Sequence, residues 1–306
     1  MKRIRTQLIV SHVLLVTLVL VVLFMPNERS VYPAGAFLVA LALMEALYVL
    51  VLFMNRKKTP VPTGASDIMV ALVALLLAWE LLSTKLGIAH SVLVPSPENV
   101  FWVFVRNGST LFDCALSSLE LLLGGYLLGM FFGVVLGIIC GWVPRLREMF
   151  YPIANVLAPI PSVIYTPFLV ILMPSYRWAA VMVILLGIFW PQFLSMILRV
   201  SSLPPAIIDN ARVLNVSNFT MIKDIILPFI VPDVLSGMRV SLTTGFLMLM
   251  YAESFGTRSG IGYFISNANV FANYSNIFAG VLVCAIVVTI LNYVTAWLQK
   301  KCSTWK

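Results

Sequence analysis

Charged residues are scarce in this sequence, at 10% of its 306 residues, whereas hydrophobic residues reach 61%. An average globular domain has about 25% charged and about 45–50% apolar residues. A water-soluble fold of this size cannot cover its surface with so few charges. The excess apolar surface must therefore face lipid.

Cysteine and histidine are also rare, with four and two residues. The cysteines lie in or beside apolar runs without a CxxC pair or a neighbouring histidine, which argues against a disulfide framework and a metal site. A G-x-x-x-x-G-K-[ST] phosphate-binding loop is absent from the sequence. The sequence therefore offers no candidate metal site and no ATP-binding loop.

The net charge of +8 comes from basic residues that cluster between apolar runs. Such clusters are typical of membrane orientation and not of nucleic-acid binding. About 20 apolar residues cross a bilayer as a helix, and charge-poor runs near that length occur eight times. The predicted spans are Thr6–Asn27, Ser30–Asn55, Ile68–Thr84, Cys114–Pro144, Met149–Tyr176, Trp178–Leu198, Pro228–Ala252 and Ile277–Leu298.

The placement of lysine and arginine sets the orientation of these spans. With the N-terminus in the cytosol, 15 of the 20 basic residues lie on the cytosolic side. An even number of spans then places both termini in the cytosol. The basic residues left outside are Arg29, Lys85, Arg106, Arg177 and Arg258. The first span lacks a small-residue cleavage site before Asn27, so we predict a retained helix and not a signal peptide.

Two modules are predicted. Residues 1–64 hold two spans and end in the polar segment NRKKTPVPTGAS, whose prolines and glycine disfavour a helix. Residues 65–306 hold six spans and a cytosolic loop at about 200–228. The N-terminal pair of spans is expected to pack at the periphery and to be dispensable for pore formation.

The 200–228 segment has the pattern of two short amphipathic helices. Pro204 and Pro205 stand where a helix can begin, and Asn215 stands at its natural end because asparagine tolerates the left-handed conformation. Leu227-Pro228 is predicted to end the second helix. From this pattern alone, an interfacial hairpin that only connects two spans is the favoured interpretation.

The residue order in this segment resembles the cytosolic loop of ABC importer permeases. Their pattern is Glu-Ala-Ala, three residues, Gly, nine residues, Ile, one residue, Leu-Pro. The spacing matches throughout, with Asp209, Asn210 and Asn215 as the departures. The corresponding ATPase-coupling residues are Asp209, Asn210, Ala211, Arg212, Leu214, Asn215, Ile225, Leu227 and Pro228.

Further segments resemble the nitrate/sulfonate/taurine-type permeases. They are VLVPSPENVFWVF from residue 92, the glycine-rich second core span from residue 117, and YAESFGTRSGIGYFI from residue 251. Glycines at near-helical spacing in the second core span predict a close approach of helix backbones. These glycines are Gly124, Gly125, Gly129, Gly133 and Gly137. The resemblance covers about residues 68–300.

This resemblance implies an all-α membrane bundle, with a type I ABC importer-like six-helix core plus two additional N-terminal helices. It implies a permease in the bacterial cytoplasmic membrane that imports a small anion or heterocyclic nutrient, of the nitrate, sulfonate, taurine, thiamine-precursor or flavin-like class. It also implies a chain that is not itself an enzyme, with no catalytic residue, no metal and no cofactor of its own, and the missing phosphate-binding loop agrees with this. The implied partners are a cytosolic ABC ATPase dimer carrying ATP and Mg²⁺, a second permease chain, and a periplasmic or lipid-anchored substrate-binding protein. A homodimer is expected, with a heterodimer as the alternative.

Several polar residues within the spans are candidates for the transport pathway or its gating. Prolines interrupt the fifth span, and broken helices at membrane depth are tolerated where they line a cavity or bury against protein. Glu253 follows the seventh span and is expected to act in gating or support more than in substrate contact. The candidate residues are Asn155, Pro159, Pro161, Ser162, Glu253 and Gly256.

Three other acidic residues lie within or beside predicted spans. Glu120 is expected to reach the water at the outer end of its span, and Glu80 to lie at the interface with Lys85. Glu45 lies deepest and is expected to face another helix or to be protonated, because an unpaired buried carboxylate is costly.

Two alternative functions remain open at this point. A stand-alone secondary transporter would predict inverted repeats with a matched pair of broken spans, and only one heavily broken span is visible. A non-transporting membrane sensor or assembly protein is the other alternative. Co-purification of an ATPase would separate both from the importer, and the transported substrate cannot be predicted.

Overall fold

The structure, a computed structural model, describes residues 2–55 and 64–302, and every regular element in these ranges is helical. Among the described residues, seven helices are long and apolar enough to cross a membrane, or eight if a bent pair forms one span. The α-helices are α1 (Lys2–Phe24), α2 (Gly35–Asn55), α3 (Gly64–Glu80), α4 (Pro97–Arg106), α5 (Gly108–Trp142), α6 (Pro144–Leu157), α7 (Thr166–Leu172), α8 (Tyr176–Ser201), α9 (Pro205–Val213), α10 (Asn218–Thr220), α11 (Leu227–Ser254), α12 (Ile261–Val270) and α13 (Tyr274–Cys302).

The predicted fifth span is the bent pair. Helix α6 and the segment Ser162–Leu172, which begins with a 3-10 turn, meet at an angle of 83°. Pro159 and Pro161 lie at the break, where a proline lacks the N–H that an α-helix needs and restricts the residue before it. The predicted interruption is therefore confirmed.

The helices divide into two compact units. The first comprises residues 1–111 and 268–281, and the second comprises residues 112–267 and 282–306. The predicted linker falls mostly on residues 56–63, outside the described residues, and Gly64 already begins α3. The boundary at residue 64 rests on this polar segment and not on packing, and it stays a prediction.

In the first unit, α1 packs on α3 and α2 packs on α4. Their shared core consists of apolar side chains that are almost completely buried, including Leu18, Phe37 and Val73. Opposite faces of α1 and α2 expose large apolar residues, as expected of helices in contact with lipid.

In the second unit, α5 and α8 are joined by a seam of glycines. A Cβ placed on Gly125 would lie 2.6 Å from the Cβ of Ile184, and one on Gly137 would lie 2.6 Å from the Cβ of Met196. The predicted close approach of helix backbones is confirmed, because only a residue without a side chain fits there. The seam contains Gly125, Gly129, Gly133, Gly137 and Gly141, whereas Gly124 lies beside it.

Helix α11 also packs on α8 and completes the core of the second unit. Leu122, Ile184 and Leu249 from the three helices are fully buried together. The seam and this core hold the ends of α8 and α11 in place, and the 200–228 segment connects those ends.

Candidate functional site

The first half of the 200–228 segment folds as the sequence predicts. Helix α9 begins at Pro205 with Pro204 before it, and Asn215 adopts a left-handed conformation with a φ of 51°. The Val216 N–H donates to the Ala211 carbonyl at 3.0 Å and closes the turn. The chain therefore reverses direction immediately after α9.

One side of this segment is anchored in the second unit. Ala211 is 6% exposed and packs in a cluster with Met196, Ile226 and Ile230, which are buried. Ile225 is half-buried against the same cluster. The contacts fix α9 to the ends of α8 and α11.

The other side of the segment presents large apolar side chains to the solvent. Val213, Leu214 and Phe219 are 81%, 76% and 73% exposed. Asp209 and Arg212 form an exposed ion pair at 3.5 Å on the same helix. Asn210 is exposed as well. We call Asp209, Arg212, Val213, Leu214 and Phe219 the loop surface; exposed apolar groups of this kind mark interaction sites.

The second half of the segment corrects the prediction. Leu227-Pro228 does not end a short helix: α10, a π-helical turn at Met221–Ile226 and α11 follow one another without a break, as one helix from Asn218 to Ser254. The Leu227 N–H donates to the Ile222 carbonyl, five residues back. The wider π turn leads into Pro228, which is tolerated in the first turn of the α-helical part that follows.

Glu253 lies near the far end of this long helix and is completely buried. Its Oε1 accepts a hydrogen bond from the Ser118 hydroxyl at 2.7 Å, and its Oε2 accepts one from the Gly262 N–H at 2.7 Å. The Ser118 Oγ in turn accepts the Ile261 N–H at 2.8 Å. Glu253 therefore ties α11, α5 and the start of α12 together, and this arrangement supports the structural part of the prediction.

The glycines beside Glu253 make this arrangement possible. Gly260 has a φ of 113°, and a side chain there would collide with the Glu253 carboxylate. Gly256 has a φ of 150°, and a Cβ there would lie 2.6 Å from the Tyr176 ring. Both conformations favour glycine, so the segment GTRSGIG forms a turn packed tightly on the carboxylate.

Of the four pathway candidates predicted in the bent span, only one is buried. Ser162 is buried, and its Oγ has no hydrogen-bond partner among the described residues. It lies against Gly187 of α8, where a Cβ would approach that oxygen to 2.5 Å. Asn155, Pro159 and Pro161 are exposed. The pathway role of these four residues stays a prediction.

Thr166, one turn after Ser162, was not predicted. It too is fully buried with an unpartnered hydroxyl in the described part of the chain. Thr166 precedes Pro167, and four residues earlier Ser162 follows Pro161. A serine and a threonine one helical turn apart, each beside a proline, form the sequence pattern that could have indicated a pair of hydroxyls.

The acidic residues of the spans find partners. Glu120 pairs with Arg177 at 2.7 Å in an exposed position, and Glu45 pairs with His12 of α1 at 3.0 Å. The expectation that Glu45 faces another helix is confirmed.

Glu80 and Lys85 are paired at 3.5 Å, but both are completely buried, which is deeper than the interfacial position predicted for them. The reason is the end of α1 and the turn after it, which cover the ammonium: Lys85 Nζ donates to the Val22 and Met25 carbonyls and to Asn27 Oδ1. A second buried carboxylate, Glu98, lies beside the pair and was not predicted. The Thr84 Oγ1 lies 3.2 Å from Glu80 Oε2 and 3.1 Å from Glu98 Oε2. Lys85, Glu80, Thr84 and Glu98 form what we call the buried lysine cluster.

These features define the class of the protein as a polytopic membrane permease, an all-helical bundle with one sharply bent span and a loop surface beyond the spans. Residues 133–303 match the family described as binding-protein-dependent transport system inner membrane component. The match covers more than half of the chain, and the chain belongs to this family.

Similar proteins narrow the family further. A putative aliphatic sulfonates transport permease of Bacillus subtilis (strain 168) is 27% identical over 231 residues, covering 74% of this chain and 83% of the relative. A taurine transport system permease of Escherichia coli (strain K12) is 27% identical, with 76% and 86% covered. A nitrate import permease of Synechococcus elongatus is 28% identical, with 72% and 84% covered. The resemblance to the nitrate/sulfonate/taurine-type permeases is confirmed.

A solved structure confirms the fold. The MetNI methionine ABC transporter in an inward-facing conformation superposes with a TM-score of 0.52 at 16% identity, covering 67% of this chain and 98% of that one. The predicted all-α bundle of the type I importer class is therefore correct. Together, the family match and the relatives identify the chain as an ABC importer permease.

Proposed function

We propose that this chain is the pore-forming subunit of an ATP-driven importer for a small anion, and that the loop surface binds the ATPase. The observation that carries this proposal is the combination of three large exposed apolar side chains with a buried attachment at Ala211. A surface of this kind is costly in water unless another protein covers it.

The unbroken helix from residue 218 to residue 254 supplies a physical route for the coupling. At 1.5 Å per residue its 37 residues extend about 55 Å. The loop surface lies at one end, with Phe219 in the first turn of this helix and its other four residues on α9 or directly after it. The other end carries Glu253 with its bonds to α5 and α12. A displacement of the loop by the ATPase would reach the Glu253 turn through one rigid element, and alternating access needs such an element.

The partners follow from this assignment. ATP and Mg²⁺ would be bound by a cytosolic ATPase dimer, a second permease chain would complete the pore, and a periplasmic or lipid-anchored binding protein would deliver the substrate. We propose a homodimer, with a heterodimer as the alternative. The anion class is supported by the relatives, whose names specify sulfonates, taurine and nitrate.

The proposed orientation places both termini and the loop surface in the cytosol. The distribution of basic residues supports it, since 15 of the 20 lie on the side of the N-terminus. In the bacterial cytoplasmic membrane this side faces the ATPase, as the proposal requires.

The test is a mild-detergent pull-down of the tagged chain from its native membrane, with ATPase activity measured on the eluate. We expect Asp209→Lys and Leu214→Ser to reduce the recovered ATPase at least about tenfold, because central interface residues contribute about 2 kcal/mol or more. Both side chains are exposed, so the chain itself should fold normally.

The matched control is Asp113→Lys, which makes the same charge change at an exposed aspartate outside the loop surface. It should retain the ATPase. An intact unmodified chain that brings down no ATPase would contradict the proposal and favour a stand-alone membrane protein. The binding protein recovered in the same eluate would then be screened against sulfonates, taurine and nitrate.

A further inference from the structure

A polar groove lies in the first unit, at the end of the helices remote from the N-terminus. A hollow of about 260 Å³ is lined by Tyr32 from the turn between α1 and α2, by Asn99, Trp102 and Arg106 of α4, and by Asn273 and Asn276 before and within α13. A second hollow of about 620 Å³ shares Asn99 and Asn273 with it. We call the two hollows together the outer groove.

Hydrogen bonding makes the groove rich in donors. The Asn99 Oδ1 accepts the Tyr32 N–H at 2.9 Å, and the Asn273 Oδ1 accepts the Asn276 N–H at 3.2 Å. With both oxygens engaged, the two side chains offer their NH₂ groups to the groove. Arg106 is exposed at the same hollow and forms no ion pair with any residue that the structure describes.

Among the described residues, neither hollow has an aspartate or a glutamate in its wall, so no carboxylate is there to neutralise the charge of Arg106. Glu98, next to Asn99, is buried and directed at the Thr84 hydroxyl. The groove therefore suits a carboxylate or another anionic group.

Apolar side chains surround the donors. Val92 and Phe271 line the second hollow and are 51% and 74% exposed. The Tyr32 ring stacks on Trp102 with 5.6 Å between the centroids. Exposed aromatic and apolar groups around an arginine are characteristic of protein–protein interfaces.

We propose that the outer groove receives an acidic side chain of the substrate-binding protein. This inference rests on the proposed function and its orientation, which put the groove on the external face. A free anion in so open a site would be screened by water and gain little. A protein surface that covers the groove excludes water and makes the same charge pair much stronger.

The inference also assigns a role to the N-terminal pair of helices. Tyr32 forms one wall of the groove, and Arg29 donates to the Val94 carbonyl at 3.2 Å and also to the Gly87 and Ala89 carbonyls, which holds the loop before α4. The family match begins at residue 133, so this wall lies outside it. The helix pair thus contributes a part of the receiving surface.

The experiment uses the complete complex in lipid nanodiscs and the binding protein recovered with it. Arg106→Glu should weaken the binding protein's affinity at least about 30-fold, since losing one partner of a covered charge pair costs about 2 kcal/mol or more. Arg106→Gln, which removes only the charge, should weaken it in the same direction. Lysine replacement of the binding protein's acidic surface residues, one at a time, should find one that restores the affinity of Arg106→Glu.

Arg258→Glu is the matched control, because Arg258 is exposed, is predicted to lie outside and does not line the groove. It should bind within about twofold of the unmodified complex, as expected for a surface charge away from the contact. Equal affinities for Arg106→Glu and Arg258→Glu would overturn the inference. It would also be overturned if sodium sulfate bound the complex without binding protein and only that binding were lost in Arg106→Glu. Absence of ATPase from the unmodified complex would instead contradict the proposed function.

Discussion

Replacing Lys85 by methionine tests the buried lysine cluster in isolation, because methionine keeps the length of the side chain and removes its charge. The Lys85 Nζ lies 3.5 Å from Glu80 Oε1. It donates to the Val22 carbonyl at 3.2 Å, to the Met25 carbonyl at 3.0 Å and to Asn27 Oδ1 at 2.6 Å. Lys85→Met therefore leaves three acceptors without their donor and Glu80 without its counter-ion inside the first unit.

The magnitude follows from these partners. Removing one member of a buried ion pair costs about 3–5 kcal/mol, because the remaining charge is buried without compensation. Glu98 lies within reach of the same Thr84 hydroxyl as Glu80, so a second carboxylate adds repulsion. We expect Lys85→Met to lose about 4 kcal/mol of stability, whereas Lys85→Met with Glu80→Gln should recover about half of it by removing the orphaned charge.

The assay is thermal unfolding of the purified chain in detergent, with accessibility of the α1–α2 turn to a protease as a second readout. Lys85 binds the carbonyl end of α1, so the turn should become cleavable before the rest of the chain unfolds. A Lys85→Met chain that melts with the unmodified protein would refute the reasoning. So would a double variant less stable than Lys85→Met alone.

Two further predictions use pairs of similar residues. Gly125→Ala should lower the melting temperature, because its Cβ would lie 2.6 Å from that of Ile184, while Gly124→Ala next to it has space and should be neutral or slightly stabilising. Ser118→Ala should cost about 1–3 kcal/mol by leaving a buried carboxylate oxygen and a backbone N–H without their partner, whereas the exposed Ser254→Ala should change little. Both are measured by thermal unfolding, and equal effects within either pair would contradict the packing described here.

Local chemistry is what the sequence predicts well in this protein. Pro205 and Asn215 act through their own backbone conformations, so the limits of α9 follow from the residue types. The helix end predicted at Leu227-Pro228 does not occur, because a π turn lets the helix continue into α11. Apolar residues on both sides of the proline, packed in the core of the second unit, outweigh its preference for an end.

The sites that the sequence did not predict depend on residues distant in the chain. Lys85 bonds to Asn27, 58 residues earlier in the chain, and Thr84 bonds to Glu98, 14 residues later. The outer groove likewise combines Tyr32, α4 and the start of α13. No periodicity or spacing brings such residues together before the helices are packed.

The glycine seam between α5 and α8 limits how this permease can move. Its contacts run from Gly125 to Gly141, about 24 Å along the axis and close to the thickness of the hydrocarbon core. Backbones in contact over that length resist sliding and tilting, since each glycine is enclosed by side chains of the other helix. We expect α5 and α8 to travel as one body in every state, which leaves the bent span, with its angle of 83°, as the hinge where the conformations differ.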